Sequence, residues 1–182
     1  VSVVCGLAIV ALTGLPVLWI GLAGVICTLL YPVLKYNALG DLDILLTFAF
    51  LPTIGTSYVV TGFIDWNVLY IALPVGLFTH GILHSNNTRD MSMGPKAAAW
   101  LYGFEMIFPY VWVGVLSMIG ILPVHTVAIF LTLVLAISNA KIMRNSLEGG
   151  VGMIADLDVK TANLQLVFSI LLALALLTAG IF

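Results

Sequence analysis

The chain has 182 residues, of which 62% are hydrophobic and 8% are charged, whereas soluble domains average roughly 25% charged residues. Its formal net charge is −2, and it contains no basic block that could bind nucleic acid. Several apolar runs of about 20 residues are long enough to cross a hydrocarbon core of about 30 Å. The composition therefore predicts a multipass membrane protein and excludes a soluble domain.

Glycines, prolines and charge clusters divide the chain into seven predicted membrane spans. In chain order they are residues 1–13, 16–34, 42–62, 67–84, 97–119, 121–140 and 163–182. Backbone polar groups inside lipid must be satisfied within their own segment, and the sequence lacks the alternating strands of about ten residues that a membrane barrel needs. We therefore predict an all-α fold, a polytopic bundle of transmembrane helices.

All six cations fall on one side of the membrane when the crossings are counted. They follow the second, fourth and sixth spans: Lys35, Arg89, Lys96, Lys141, Arg144 and Lys160. The opposite loops, at 14–15, 63–66 and near 120, contain no Lys or Arg. The positive-inside rule makes the charged side cytoplasmic. Two interpretations of this charged face are open. Either the charges serve only to fix the membrane topology, or three polar loops also converge there to form a site at the membrane surface.

The first polar cluster in chain order is the stretch YPVLKYNALGD at residues 31–41. Tyr31 and Lys35 are spaced i, i+4 at the end of the second span, so a helix brings both to the headgroup layer on one face. Lysine is a compact cation that suits phosphate. The alternative is ordinary interfacial anchoring, because Tyr and Lys are common at the ends of spans.

A larger polar cluster, LHSNNTRDMSMGPKAAAW at residues 83–100, separates the fourth span from the fifth. If the fourth span ends there as a helix, Asp90 lies four residues after Asn86 and three after Asn87, so amide and carboxylate oxygens share one face. Mg²⁺ accepts such hard oxygens together with water and a substrate phosphate. Arg89 could bind the phosphate through two hydrogen bonds. The alternative is a helix end capped by asparagine and aspartate.

Three further ionisable positions could serve a site. Glu105 lies inside the fifth span, where a carboxylate is a candidate functional residue that could face a cavity or an aromatic substrate. His80 and His84 are spaced i, i+4, which suits a metal ion. Without a third ligand nearby, we expect the two histidines to line a cavity or to pack between helices. Asp158, in the stretch ADLDVKTA, either caps a helix or faces substrate.

Four segments resemble the UbiA superfamily of intramembrane prenyltransferases: NNTRDM, YPVLK, IADLDVKTANLQLVFSILL and KYNALGDLDILLTFAFLPTIGTSYVVTG. They are most similar to the branch that prenylates 1,4-dihydroxy-2-naphthoate in menaquinone biosynthesis, and the resemblance covers essentially the whole chain. It implies a bundle of nine helices around a central cavity, where Mg²⁺ holds the pyrophosphate of a polyprenyl diphosphate. Ionisation then leaves an allylic cation, which a ring carbon of the aromatic acceptor attacks.

The resemblance also implies roles for individual residues. Three would be catalytic and lie on the metal side of the family's second aspartate-rich motif: Asn86, Asn87 and Asp90. Four would contact the diphosphate or line its pocket: Arg89, Lys35, Tyr31 and, as a weaker candidate, Lys96. In the family the region around Asp158 forms part of a cytoplasmic cap, which makes Asp158 a candidate substrate-binding residue. Glu105 matches no family motif and is a substrate-binding candidate from its position alone.

The sequence departs from the family's pattern at two places. Gly94 stands four residues after Asp90, where the second motif has another aspartate. The first motif, Asn-Asp-x-x-Asp-x-x-x-Asp at the end of the family's second helix, is not found in the sequence. Because the first span is short and begins with Val1 rather than Met, we expect the start of the protein to be missing. Residues 1–182 would then form one prenyltransferase-like domain, with seven spans that match the family's third to ninth helices.

These observations together predict an integral membrane polyprenyltransferase that uses Mg²⁺, a polyprenyl diphosphate and an aromatic acceptor. Its catalytic face would be cytoplasmic, in a bacterial membrane. Within the family, 4-hydroxybenzoate and homogentisate are the alternative acceptors. Two other classes stay open: a secondary transporter, which also places charges near one face, and a non-catalytic subunit of a membrane complex, which would explain Gly94. The oligomeric state stays open.

Overall fold

The computed structural model describes residues 2–36, 40–89 and 95–180, and every regular element in these ranges is helical. Within them, the α-helices in chain order are α1 Ser2–Thr13, α2 Leu15–Tyr36, α3 Gly40–Leu45, α4 Leu51–Thr61, α5 Leu69–Arg89, α6 Pro95–Met118, α7 Leu133–Gly149 and α8 Leu157–Thr178. Short 3-10 segments precede α5, α7 and α8, at Trp66–Val68, Val124–Thr132 and Val151–Ile154. The predicted all-α fold is confirmed.

Six helical segments among the described residues are long and apolar enough to cross a membrane, and α1 is a shorter apolar helix. The six are Leu15–Leu34, Leu42–Thr61, Trp66–Thr88, Lys96–Met118, Val124–Gly149 and Val151–Thr178. They correspond in order to the second to seventh predicted spans. The last two extend beyond the predicted 121–140 and 163–182, since polar residues at the end of α7 and the start of α8 are also helical.

A wider, π-helical turn at Leu46–Phe50 joins α3 to α4. The amide of Leu51 donates to the carbonyl oxygen of Leu46, five residues earlier instead of four. The next residue, Pro52, has no backbone N–H, and in a regular α-helix its ring would clash with the carbonyl four residues back. The wider turn directly before the proline relieves this conflict without ending the helix.

The chain forms two compact units, Val1–Gly76 and Leu77–Phe182. In the first unit, Gly76 allows a close approach of two helices. A Cβ at Gly76 would lie 2.6 Å from the Cβ of Ala49, so no larger residue fits there without a shift. The hydroxyl of Tyr58 on α4 donates to the carbonyl oxygen of Thr13 at the end of α1, over 3.3 Å. Small residues and one long hydrogen bond thus connect helices in this unit.

The second unit has an aromatic core in which Phe78, Tyr110 and Phe168 are buried. The ring of Phe78 contacts those of Phe168 and Tyr110 edge to face, with centroids 4.9 and 6.2 Å apart. The hydroxyl of Thr132 donates to the carbonyl oxygen of Ile129. The hydroxyl of Tyr110, 2.7 Å from that of Thr132, is therefore the donor of their hydrogen bond. Apolar contacts and satisfied polar groups together join α5, α6, α8 and the segment before α7.

Candidate functional site

Two residues of the polar motif, Asn86 and Asn87, lie in the last turn of α5, and both are half-buried. The neighbouring Thr88 donates its hydroxyl to the carbonyl oxygen of His84, 2.8 Å away, as polar residues within helices often do. Asp90 and Gly94 lie outside the described residues, and so does the side chain of Arg89. The motif therefore has the helical geometry that the sequence predicts as far as the end of α5, while its metal-binding role stays a prediction.

Tyr31 and Lys35 both belong to α2 and are separated by about one turn, as predicted. Tyr31 is half-buried, whereas the side chain of Lys35 lies outside the described part of the chain. Both residues are in the first unit, and Asn86 and Asn87 are in the second. Their convergence on one diphosphate group stays a prediction.

A buried cluster of His80, His84 and Glu105, termed the His–Glu cluster, joins α5 to α6. Nδ1 of His80 lies 2.6 Å from Oε1 of Glu105, and Nδ1 of His84 lies 3.1 Å from Oε1 and 3.2 Å from Oε2. The three residues are 6%, 2% and 1% exposed, respectively. The two histidines pack between helices, as expected, but α6 also brings a third group that could bind a metal, which sequence spacing does not reveal.

The His–Glu cluster lies beneath the polar motif on the same face of α5. His80, His84 and Asn87 are spaced i, i+4 and i+7, a pattern that forms one stripe along an α-helix. At a rise of 1.5 Å per residue, His84 is about 4.5 Å along the axis from Asn87. The contacts that hold His84 in place therefore also restrict the position of the helical turn that carries Asn87.

Gly81 lies where α6 packs closely against α5. A Cβ at Gly81 would lie 2.7 Å from Cε of Met106 and 3.4 Å from Oε2 of Glu105. A larger residue would first push against the end of the Met106 side chain, which is flexible. The absence of a side chain at this position therefore admits Met106, next to the Glu105 carboxylate.

One turn before Glu105, a second buried hydrogen bond connects α6 to α8. The hydroxyl oxygens of Tyr102 and Thr161 are 2.5 Å apart, and both side chains are fully buried. Thr161 donates its own hydrogen to the carbonyl oxygen of Leu157, so Tyr102 is the donor to Thr161. The stretch of α6 that carries Glu105 is thereby held from two sides, by α5 and by α8.

Lys96, the weaker diphosphate candidate, lines a groove of ≈ 760 Å³ between α6 and α7. Two more cations from α7, Lys141 and Arg144, line the same groove, and all three are exposed. Along α6 the groove continues over aromatic side chains at i, i+4 spacing: Trp100, Phe104 and Phe108. An anionic group near the cations and an apolar chain over the aromatic rings would suit this surface.

Asp158 lies in the first turn of α8 and is half-buried. An acidic residue at this place is favourable, because the positive end of the helix dipole is close. The N-cap position itself is held by Asp156, whose side chain makes no capping hydrogen bond. Contact of Asp158 or Glu105 with a substrate stays a prediction.

Known proteins resemble a little under half of the chain. "UbiA prenyltransferase domain-containing protein 1" of Xenopus tropicalis is 38% identical over 96 residues, which cover 46% of this chain and 28% of that protein. The human protein of the same name is 36% identical over 96 residues, with the same coverage of both chains. The Drosophila melanogaster homolog is 37% identical over 89 residues, covering 42% of this chain and 25% of the relative.

These matches span about a quarter of the length of the curated relatives. No solved structure matches the chain. The model of the UbiA prenyltransferase family matches residues 1–99, more than half of the 182 residues, and this range contains α1 to α5 together with the Asn86–Asp90 motif. The chain therefore belongs to the UbiA prenyltransferase family.

Proposed function

We propose that the protein transfers a polyprenyl group from a polyprenyl diphosphate to 1,4-dihydroxy-2-naphthoate, a step of menaquinone biosynthesis. The observation that carries the proposal is the family match over residues 1–99, which includes both polar clusters, 31–41 and 86–90. The six apolar segments support it, because a long prenyl chain partitions into lipid and needs an enzyme embedded there.

Magnesium fits the donor set of the motif. Asn86 and Asn87 offer amide oxygens at a half-buried helix end, and Asp90 offers a carboxylate. Mg²⁺ prefers oxygen ligands of this kind and usually keeps several waters. These three residues would hold the ion, which when bound neutralises charge on the diphosphate leaving group.

The chain's cations would bind the diphosphate. Arg89 can donate two parallel hydrogen bonds to phosphate oxygens, and Lys35 adds a compact charge, while Tyr31 lines the pocket. The bond between the first prenyl carbon and the diphosphate oxygen breaks, and a ring carbon of the acceptor forms the new bond and loses its proton. The acceptor's carboxylate leaves as carbon dioxide and is replaced by a proton. Apolar helices keep water away from the allylic cation.

We assign the catalytic face to the cytoplasmic side, since all six cations follow even-numbered predicted spans. Residues 1–182 would act as one prenyltransferase-like domain. A bacterial membrane stays the sequence-based prediction, although the relatives named above are animal proteins.

A prenyl transfer assay tests the proposal. Membranes that contain the natural full-length protein receive Mg²⁺, a polyprenyl diphosphate and dihydroxynaphthoate, and the prenylated product is quantified. Removing a residue that stabilises charge in a transition state typically lowers kcat by about 10²–10³-fold, so we expect a loss of this size for Asp90→Ala. EDTA should abolish product, and Mg²⁺ should restore it.

Asp65→Ala is the matched control. Asp65 accepts a hydrogen bond from the amide of Asn67, at 2.9 Å, in the predicted loop on the opposite membrane side, so this variant should keep its activity. If product forms only with 4-hydroxybenzoate or only with homogentisate, that compound replaces dihydroxynaphthoate as the proposed acceptor. A folded protein that prenylates no aromatic acceptor would overturn it and favour the non-catalytic subunit.

A further inference from the structure

The structure brings two imidazoles and one carboxylate together inside the membrane-spanning part of the second unit. One potential ligand atom from each of His80, His84 and Glu105 can be chosen so that all three lie within 4.8 Å of one another. We propose that this His–Glu cluster binds one divalent transition-metal ion of the zinc or iron(II) class. The site is distinct from the proposed magnesium site and does not depend on the proposed function.

The ligand types select the class of metal. Two histidines and one carboxylate occur as a ligand set of zinc and of non-haem iron(II). Mg²⁺ and Ca²⁺ prefer oxygen atoms, which the amides and carboxylate of the motif offer and the imidazoles do not. The two polar groups on α5 are therefore suited to different ions, although about one helical turn separates His84 from Asn87.

The distances require only a small adjustment for an ion to enter. Ligand atoms bound tetrahedrally at about 2.0–2.2 Å from a metal lie roughly 3.3–3.6 Å from each other. Nδ1 of His84, at 3.1 and 3.2 Å from the two carboxylate oxygens of Glu105, is close to this range. Nδ1 of His80, at 2.6 Å from Oε1, would have to move away by roughly 0.7–1 Å.

The surroundings of the cluster call for a positive charge. Glu105 is 1% exposed within a membrane span, and a carboxylate there needs a positive partner. A divalent ion supplies that charge while both imidazoles stay neutral, the form in which they bind metals.

One buried atom of the cluster has no hydrogen-bond partner in the described part of the chain. Nε2 of His84 makes no hydrogen bond to any described residue, and such an atom commonly marks a bound water. Because Nε2 lies across the ring from Nδ1, an ion held by Nδ1 would leave this nitrogen as a donor to that water.

The burial of all three residues favours a structural role for the ion. The three side chains are only 1–6% exposed, so an ion would be enclosed among them as the helices pack. Bonds from α5 and α6 to one ion would fix the rotation of the last turns of α5, where Asn87 lies on the same stripe. The ion would thus hold the polar motif in place from beneath.

Metal analysis of the purified protein tests this directly. The full-length protein is purified in detergent without a histidine tag and its bound metals are quantified by mass spectrometry. We expect about one zinc or iron ion per chain, or one Co²⁺ bound after titration of the metal-free protein. Substituting groups outside the first ligand shell typically weakens metal binding by 10–100-fold. The ligand variants His84→Gln and Glu105→Gln should weaken it by at least as much.

The third histidine of the chain provides a matched control. His125 is exposed and lies in the 3-10 segment before α7, so His125→Gln should keep the ion. Asp90→Ala, which removes a proposed magnesium ligand, should also keep it.

Two results would overturn the proposal: wild-type protein without stoichiometric metal, or equal amounts of metal in all variants. The three residues would then form a hydrogen-bonded His–Glu–His network without an ion. If the ligand variants do not fold, X-ray absorption of the Co²⁺-loaded wild type decides: two imidazole ligands support the site, and oxygen-only coordination refutes it.

Discussion

In the first unit, Val1–Gly76, a helix approaches its neighbour at a glycine, and threonines such as Thr28 and Thr53 bond the carbonyl four residues earlier in their own helix. The second unit, Leu77–Phe182, is instead crossed by hydrogen bonds between buried side chains of different helices. Lipid gives helices no hydrophobic reason to associate, so they use either close backbone approach or interhelical polar bonds. Among the described residues, the first unit relies more on close approach and has one long interhelical hydrogen bond, from Tyr58 to Thr13, whereas the second unit has several such bonds between buried side chains. Single substitutions can separate the two contributions.

The largest effect is expected from Glu105→Ala. Both imidazoles of the His–Glu cluster lose the carboxylate that they share inside the membrane, and removing one partner of a buried ion pair typically costs about 3–5 kcal/mol. The free energy of unfolding should fall by that amount, measured by SDS titration of the purified protein in mixed micelles and followed by circular dichroism.

Glu105→Gln serves as the comparison, because its amide oxygen can still accept a hydrogen bond from one imidazole. Interhelical hydrogen bonds in membrane proteins contribute at most about 1.7 kcal/mol, so this variant should lose much less stability than the alanine variant. Equal losses in both variants would mean that the negative charge, which both variants remove, and not the cavity, which only alanine creates, determines the loss of stability in Glu105→Ala.

An intermediate effect is expected from Gly76→Ala in the first unit. The added methyl would lie 2.6 Å from the Cβ of Ala49, which is fixed to its backbone, so the helices must move apart. Overpacking of this kind costs about 1–3 kcal/mol, and the same SDS titration measures it.

Gly81→Ala in the second unit is the matched control for Gly76→Ala. Its nearest contact is the terminal methyl of Met106, at 2.7 Å, and an unbranched methionine can change rotamer. A smaller loss of unfolding free energy is therefore expected. A larger loss at Gly81 than at Gly76 would contradict the assignment of close backbone approach to the first unit.

The smallest effects are expected from removing tyrosine hydroxyls. Tyr102→Phe deletes the buried donor to Thr161, and bonds of this class average about 0.6 kcal/mol in membrane proteins. Tyr58→Phe deletes a longer, 3.3 Å bond to the carbonyl of Thr13 and should change stability by less than about 0.5 kcal/mol. A double-mutant cycle of Tyr102→Phe with Thr161→Val isolates the pairwise energy, and a coupling near zero would show that the bond does not stabilise the second unit.

Hydropathy was sufficient to predict the helices of this protein, because a membrane span must be apolar over its whole length. The order of the spans and the helical end at Asn86 and Asn87 follow from that rule. A helix can begin outside the apolar span: α8 begins at Leu157, within the polar stretch ADLDVKTA and before the predicted span that starts at 163. Polar residues at an interface can be helical or not with little difference in free energy.

The His–Glu cluster could be predicted only in part. The i, i+4 spacing of His80 and His84 is local and visible in the sequence. Glu105 joins them 21 residues after His84, and only the packing of α6 against α5 decides which of its faces turns inward. The pairing of Tyr102 with Thr161 was missed for the same reason, because a tyrosine and a threonine in separate spans carry no signal of contact.

The π-helical turn at Leu46–Phe50 has a consequence for how this segment tolerates changes in length. A π turn is a helix with one extra residue, inserted so that the flanking turns keep their orientation. Deleting one residue within this turn should therefore let Ile44 and Ile54, buried on either side, keep facing the same neighbours, but it would bring back the conflict between the Pro52 ring and the carbonyl four residues earlier. Relatives one residue shorter at this place would need a single-residue gap in their alignment to this chain, and the gap would mark an insertion and not a change of fold.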